Sequence, residues 1–179
     1  MGPKCAASLT GWTFRSTIPA MTGSVTPQAL RDFMSFVDLG TSLLIATRDA
    51  SNRCEITRVG AAGVIDQRIR VLVPLPEGER SLANVADNHD IALTAAHPTS
   101  YRSFQIKGRD AALTIWPNMQ AAAERHVAGF SGEVVQLGLP LERARHFWSR
   151  MFVAVIFTPD SLFEQTPGRS AGRSMVGPT

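Results

Sequence analysis

The chain has 179 residues, 44% of them hydrophobic and 18% charged, with a formal net charge of +3. That length fits one domain with a core of its own, and the sparse charge leaves surface to be covered by another subunit. No basic tract or nucleic-acid-binding signature is present, no apolar run reaches the length of a membrane span, and no charged start followed by a continuous apolar segment marks export. Cys5 and Cys54, the two cysteines, offer neither a disulfide framework nor a metal cluster. These features lead us to expect a cytoplasmic protein that takes a small molecule and neither nucleic acid nor membrane.

Residues 1–25, rich in Gly, Ser, Thr and Pro, read as an extended arm. Thr26-Pro27 then opens a helix, Thr26 as N-cap and Pro27 as first helical residue, with Leu30, Phe33, Met34 and Val37 on one face as far as Gly40. From Thr41 an apolar run predicts a strand, 48–53 a turn, and Cys54 to Ile65 the return strand. Asp66-Gln67 makes a tight turn into a third strand, where Ile69, Val71 and Val73 alternate with Arg68, Arg70 and Leu72 up to Pro74. Short turns between strands imply an antiparallel meander.

A helix is expected from Arg80 to Asn88, then a buried strand from Ile91 to Ala96. Phe104, Ile106, Ala111, Leu113 and Ile115 describe one long strand interrupted at Gly108 and ended by Pro117. Asn118 is the expected N-cap of an Ala-rich helix from Met119 to Phe130, and Pro140 to Trp148 starts another. Met151 to Phe157 closes the fold as an alternating strand. Past Pro159, Gln165-Thr-Pro-Gly-Arg-Ser-Ala-Gly-Arg is too rich in Gly and Pro for regular structure. Six or so antiparallel strands with outer helices predict a small barrel, and the missing Gly-rich strand-turn-helix fingerprint excludes Rossmann and P-loop binding.

Chemistry concentrates between Arg80 and Lys107. Arg80 and Ser81 at a helix start, and Arg102, Ser103, Gln105 and Lys107 on a strand, form two sets of cationic and hydroxyl groups suited to a phosphate-bearing cofactor. Each also has an explanation without a ligand. Arg58 and Arg102 suit a sheet surface, Arg80 and Ser81 a helix start, and Gln105 and Lys107 a solvated strand face. His89, His97, His126 and His146 lack metal-site spacing, and no nucleophile elbow or Ser-His-Asp pattern is present.

Four segments in order, Ile45-Ala-Thr-Arg-Asp-Ala, Thr57-Arg58-Val59-Gly60, Arg80-Ser81 leading to Asp87-Asn88-His89-Asp90, and Tyr101-Arg-Ser-Phe-Gln-Ile-Lys-Gly108, resemble the pyridoxamine 5'-phosphate oxidase-like family of FMN-binding split barrels. The resemblance spans about residues 26–166, leaving 167–179 as a flexible tail. It implies a mainly β fold with flanking helices, an antiparallel split β-barrel, and FMN at the interface of a homodimer. The cofactor-binding residues it implies are Thr57, Arg58, Val59, Arg80, Ser81, Arg102, Ser103, Gln105 and Lys107. Family oxidases carry Arg-Lys where this chain has Arg80-Ser81, so phosphate binding leans on Arg58, Arg80 and Lys107. They also end in a Trp- and Arg-bearing substrate segment, whereas this chain has Gln165-Thr166-Pro167-Gly168. The expectation is therefore an FMN-dependent oxidoreductase with an open substrate and no assigned catalytic residue. The alternative is a non-catalytic module for flavin, deazaflavin or haem, with His89, His97 and Cys54 as the candidate haem ligands.

Overall fold

The computed structural model describes residues 25–145 and 151–176. Helix α1 spans Pro27–Val37, with Thr26 Oγ1 accepting a hydrogen bond from the Ala29 amide at 3.2 Å and Pro27 in the first turn. Its buried face is Leu30, Phe33, Phe36 and Val37. Phe36 takes the place expected for Met34, which packs only partly against the core.

Among the described residues nine strands form two antiparallel sheets. β1 (Ser42–Arg48), β2 (Cys54–Arg58), β5 (Ile91–Ala96), β6 (Ser103–Gly108) and β9 (Ser161–Glu164) make a five-stranded sheet in the order β2-β1-β5-β6-β9. β3 (Ala62–Ile65), β4 (Arg68–Pro74), β7 (Ala112–Thr114) and β8 (Phe152–Phe157) make a four-stranded sheet in the order β3-β4-β8-β7. One apolar cluster joins them: Leu43, Ile45, Leu93 and Ile106 of the first sheet lie in it with Ile69, Val71, Val155 and Phe157 of the second, all at 0% exposure. Each such side chain contributes about 1.5–3 kcal/mol on burial. This is the expected split β-barrel, mainly β with flanking helices.

Two stretches expected to be single strands each serve both sheets. At the first corner the Val59 amide donates to Leu43 of the five-stranded sheet at 3.1 Å, while Gly60 donates to Leu72 of the other at 2.7 Å. A β-carbon on Gly60 would sit 2.5 Å from the Phe152 ring. The second crossing follows Gly108, where a β-carbon would meet the Thr158 carbonyl oxygen at 2.5 Å. Asp66 and Gln67 form the expected tight turn, with φ of 48° and 61°, the mirror-image geometry that suits two-residue hairpins.

Helix α2 (Glu79–Asn88) inserts Val85 into the core and is tied to the first sheet by two buried side-chain bonds. Ser81 Oγ lies 2.7 Å from Thr57 Oγ1, and Asn84 Nδ2 donates to Thr47 Oγ1 at 3.0 Å. Helix α3 (Met119–Gln136) runs six residues past the expected end, packing Ala122 and Ala123 against Ala61, Leu72 and Ala154. Asn118 does not cap it: its φ of 57° is left-handed and its side chain makes no capping bond. α4 covers Leu141–Arg145; the remainder of that expected helix, including Trp148, lies outside the described residues, as does the 1–24 part of the arm.

The segment after Pro159 departs most from expectation. β9 pairs with β6, and the chain then turns back on β9, with the Glu164 amide donating to the Arg173 carbonyl at 2.9 Å and the Met175 amide to the Leu162 carbonyl at 2.8 Å. Val176 ends in the core at 7% exposure. So 167–176, expected as flexible tail, is a structured return whose glycines supply turns: Gly172 has φ of 83°. Among the described residues no helix is long and apolar enough to cross a membrane, and no three metal-ligating side chains cluster.

Candidate functional site

Strand alternation points Leu43, Ile45, Leu93, Ala95, Ile106 and Leu162 into the core, and every second residue onto the opposite face of the five-stranded sheet. The register aligns those outward residues in rows. Arg58, Leu44, Thr94, Gln105 and Phe163 stand side by side across all five strands. Ile56, Ala46, Ala92, Lys107 and Ser161 form the next row, and Ser42, Ala96 and Ser103 the row on the other side. From Arg58 to Gln105 is three strand spacings, roughly 14 Å.

No carboxylate occurs in these three rows, and two cations do. Arg58 is half-buried with its guanidinium 5.5 Å from the Phe130 ring centre of α3. Burial pushes its pKa below the ordinary arginine value, yet an arginine stays protonated at neutral pH. Lys107 is exposed, its Nζ 5.0 Å from the Phe163 ring centre. Between them Gln105 Nε2 donates to Thr94 Oγ1 at 3.0 Å, which fixes the amide on the sheet surface. On the central strands Ala46, Ala92 and Ala96 flank Leu44 and Thr94, and their small side chains leave room beside that row for a flat ligand.

Beyond Ser42, Ala96 and Ser103 the face leads into a groove of about 440 Å³ under Phe130 and Val134. The β5–β6 hairpin holds α3 there. Glu133 Oε2 accepts from Thr99 Oγ1 at 2.8 Å and lies 3.3 Å from His97 Nε2. The Ser100 amide donates to His97 Nδ1 at 3.3 Å, so Nδ1 is the accepting nitrogen and Nε2–H points at Glu133. The Gln165-Thr166 turn, whose role is obscure in the sequence, is anchored on β6: Ser103 N–H donates to Thr166 Oγ1 at 3.0 Å, and Gln165 N–H to the Ser103 carbonyl at 2.8 Å.

Of the nine cofactor-binding residues expected from the sequence, Arg58, Ser103, Gln105 and Lys107 share this face. The other five do not. Thr57 and Ser81 face inward and bond to each other, at 5% and 0% exposure, and Val59 is core at 0%. Arg80 is exposed and sits 3.4 Å from Glu55. Arg102 lies on the other side of β6, over the Phe36 and Phe104 rings at 5.5 Å each. Period-two alternation was the available signal, since neighbours such as Thr57 and Arg58 cannot both face one ligand. Thr94, Phe130 and Phe163 were missed because only the cross-strand register and the docking of α3 bring them to the face. Of the haem-ligand candidates, His89 places Nδ1 2.9 Å from the Ala111 carbonyl, His97 is held by the hairpin, and Cys54 is exposed on β2.

No protein-family model and no curated protein matches the sequence. Among solved structures the chain is similar to HupZ of Group A Streptococcus, at 15% identity and TM-score 0.49 over 82% of this chain and 99% of that one. It is also similar to HutZ, the haem storage protein of Vibrio cholerae, at 13% identity and TM-score 0.46 over 75% and 92%. A third is a pyridoxamine 5'-phosphate oxidase-related, FMN-binding protein of Nostoc punctiforme, at 12% identity and TM-score 0.45 over 80% and 85%.

Proposed function

We propose that this chain is an FMN-binding oxidoreductase whose cofactor lies on the open face of the five-stranded sheet and is covered there by a second copy of the chain. The observation that carries the reading is that the three central rows of the face hold no carboxylate, with alanines among them and Arg58 and Lys107 at their sides, while Asp90, just before β5, is taken up by the outward Arg48 at 2.6 Å. Such a surface suits a flat, anionic ligand: alanines leave room for a ring, and cations complement a phosphate. Ile56, 64% exposed on an edge of the same face, is apolar surface that a second copy would bury.

Bound FMN would supply hydride or electron transfer to a small substrate. The chain's own residues bind and orient. Gln105, held by Thr94, presents its amide oxygen to a ring edge, Ser103 adds a hydroxyl near the groove, and Arg58 and Lys107 supply positive charge. Thr57, Ser81 and Val59 support the barrel wall beneath them.

The test is an absorbance spectrum of freshly purified protein, followed by titration with FMN and with riboflavin. Flavin bands with tighter binding of FMN than riboflavin are expected, and Arg58→Met should weaken FMN far more than riboflavin. Arg80→Met should change neither. A spectrum that stays bare on titration would refute the reading, and a Soret band would replace it with haem binding.

A further inference from the structure

Arg102 does not share the flavin face, and its surroundings define a separate pocket on the other side of the sheet. About 280 Å³ lies between α1, the start of β6 and the C-terminal return. Its walls are Phe33, Phe36, Phe104, Leu162 and Met175, with Phe36 and Phe104 packed edge to face at 4.9 Å and 85°. Arg102 and Asp32 line it as well. Stacking on two rings holds the Arg102 guanidinium in place. Among the described residues Arg102 pairs with no carboxylate, Asp32 included. Asp32 accepts from Gln28 through Oδ1 at 2.7 Å, leaving acceptor capacity on Oδ2.

Two opposite charges that line one apolar pocket without pairing suit a ligand carrying both of their complements. We infer that this pocket binds a free α-amino acid with a large apolar side chain. Its carboxylate meets Arg102, its ammonium meets Asp32, and its side chain lies on Phe33, Phe104 and Leu162. The volume is at the small end of ligand pockets, which run ~300–1,000 Å³, and excludes a nucleotide. Nothing in this inference depends on flavin binding, because the pocket and the flavin face lie on opposite sides of β6.

Calorimetric titration of the full chain with L-phenylalanine, 3-phenylpropionate and phenethylamine tests it, with and without saturating FMN. Phenylalanine should bind about tenfold or more tightly than either analogue, since each lacks one charge-assisted contact. Arg102→Gln should abolish the preference over phenethylamine, and Asp32→Asn the preference over phenylpropionate. Both side chains are exposed, and far-UV circular dichroism checks that the variants fold. Equal binding of the three ligands, no binding of phenylalanine, or variants that leave the preferences intact would overturn the inference.

Discussion

The pair Thr57 and Ser81 separates two roles for residues that share a segment with the proposed cofactor site. Their hydroxyls lie 2.7 Å apart at 5% and 0% exposure, joining β2 to the first turn of α2. Removing one hydroxyl leaves the other buried without that partner, which costs about 1–3 kcal/mol, whereas replacing both with apolar groups of similar shape is close to neutral. Thr57→Val and Ser81→Ala should therefore each lower stability by that amount. For a chain of 179 residues this is a fall in Tm of roughly 3–9 °C. The double variant should lose less than the sum by about 1 kcal/mol or more, a coupling that urea unfolding followed by circular dichroism resolves. FMN affinity should stay within about twofold throughout, because neither hydroxyl reaches the ligand face and the estimated perturbation is confined to the wall. Strict additivity, or a loss of FMN affinity without loss of stability, would refute the assignment and return both residues to the phosphate site.

Two further outcomes follow from packing and charge. Gly108→Ala places a methyl 2.5 Å from the Thr158 carbonyl oxygen and 2.6 Å from the Phe157 ring, and backbone cannot yield as a side chain does, so thermal unfolding should show a loss of about 1–3 kcal/mol. His126, beside Asp38, Trp116 and Arg125 in a cavity between α1 and α3, has its pKa pushed from 6.5 down to about 4, chiefly by burial. The fold holds it neutral while the unfolded chain protonates it, so its contribution is full above pH 6.5 and declines as pH falls toward 4. The loss reaches about 3 kcal/mol at pH 4. Urea unfolding across that range should show His126→Gln losing less stability than the parent chain by up to this amount, and parallel profiles would refute it.

The legible parts of the sequence were those fixed by local chemistry. Thr26-Pro27 starts α1 because a hydroxyl cap and a preset φ act within one turn, and β1, β4 and β5 show themselves through alternation. The sheet assignment of residues 59–61 and 109–111 rests on partners far away in the chain, Leu43, Leu72 and Thr158, and no local pattern carries it. β9 was hidden because Ser161–Glu164 is short and followed by turn residues. At the site, the segments bearing Arg58 and Ser103–Lys107 could be found, but sorting Thr57 and Arg102 away from them required knowing which way each strand faces.

The two corner-crossing strands have a consequence for how the molecule comes apart. A sandwich of independent sheets can open like a book, one leaf at a time. Here residues 54–65 and 103–114 are stitched into both leaves, so pulling either one loose removes hydrogen-bond partners from the other. The barrel should therefore unfold as one body, with amides on the two sheets exchanging with solvent at a common limiting rate.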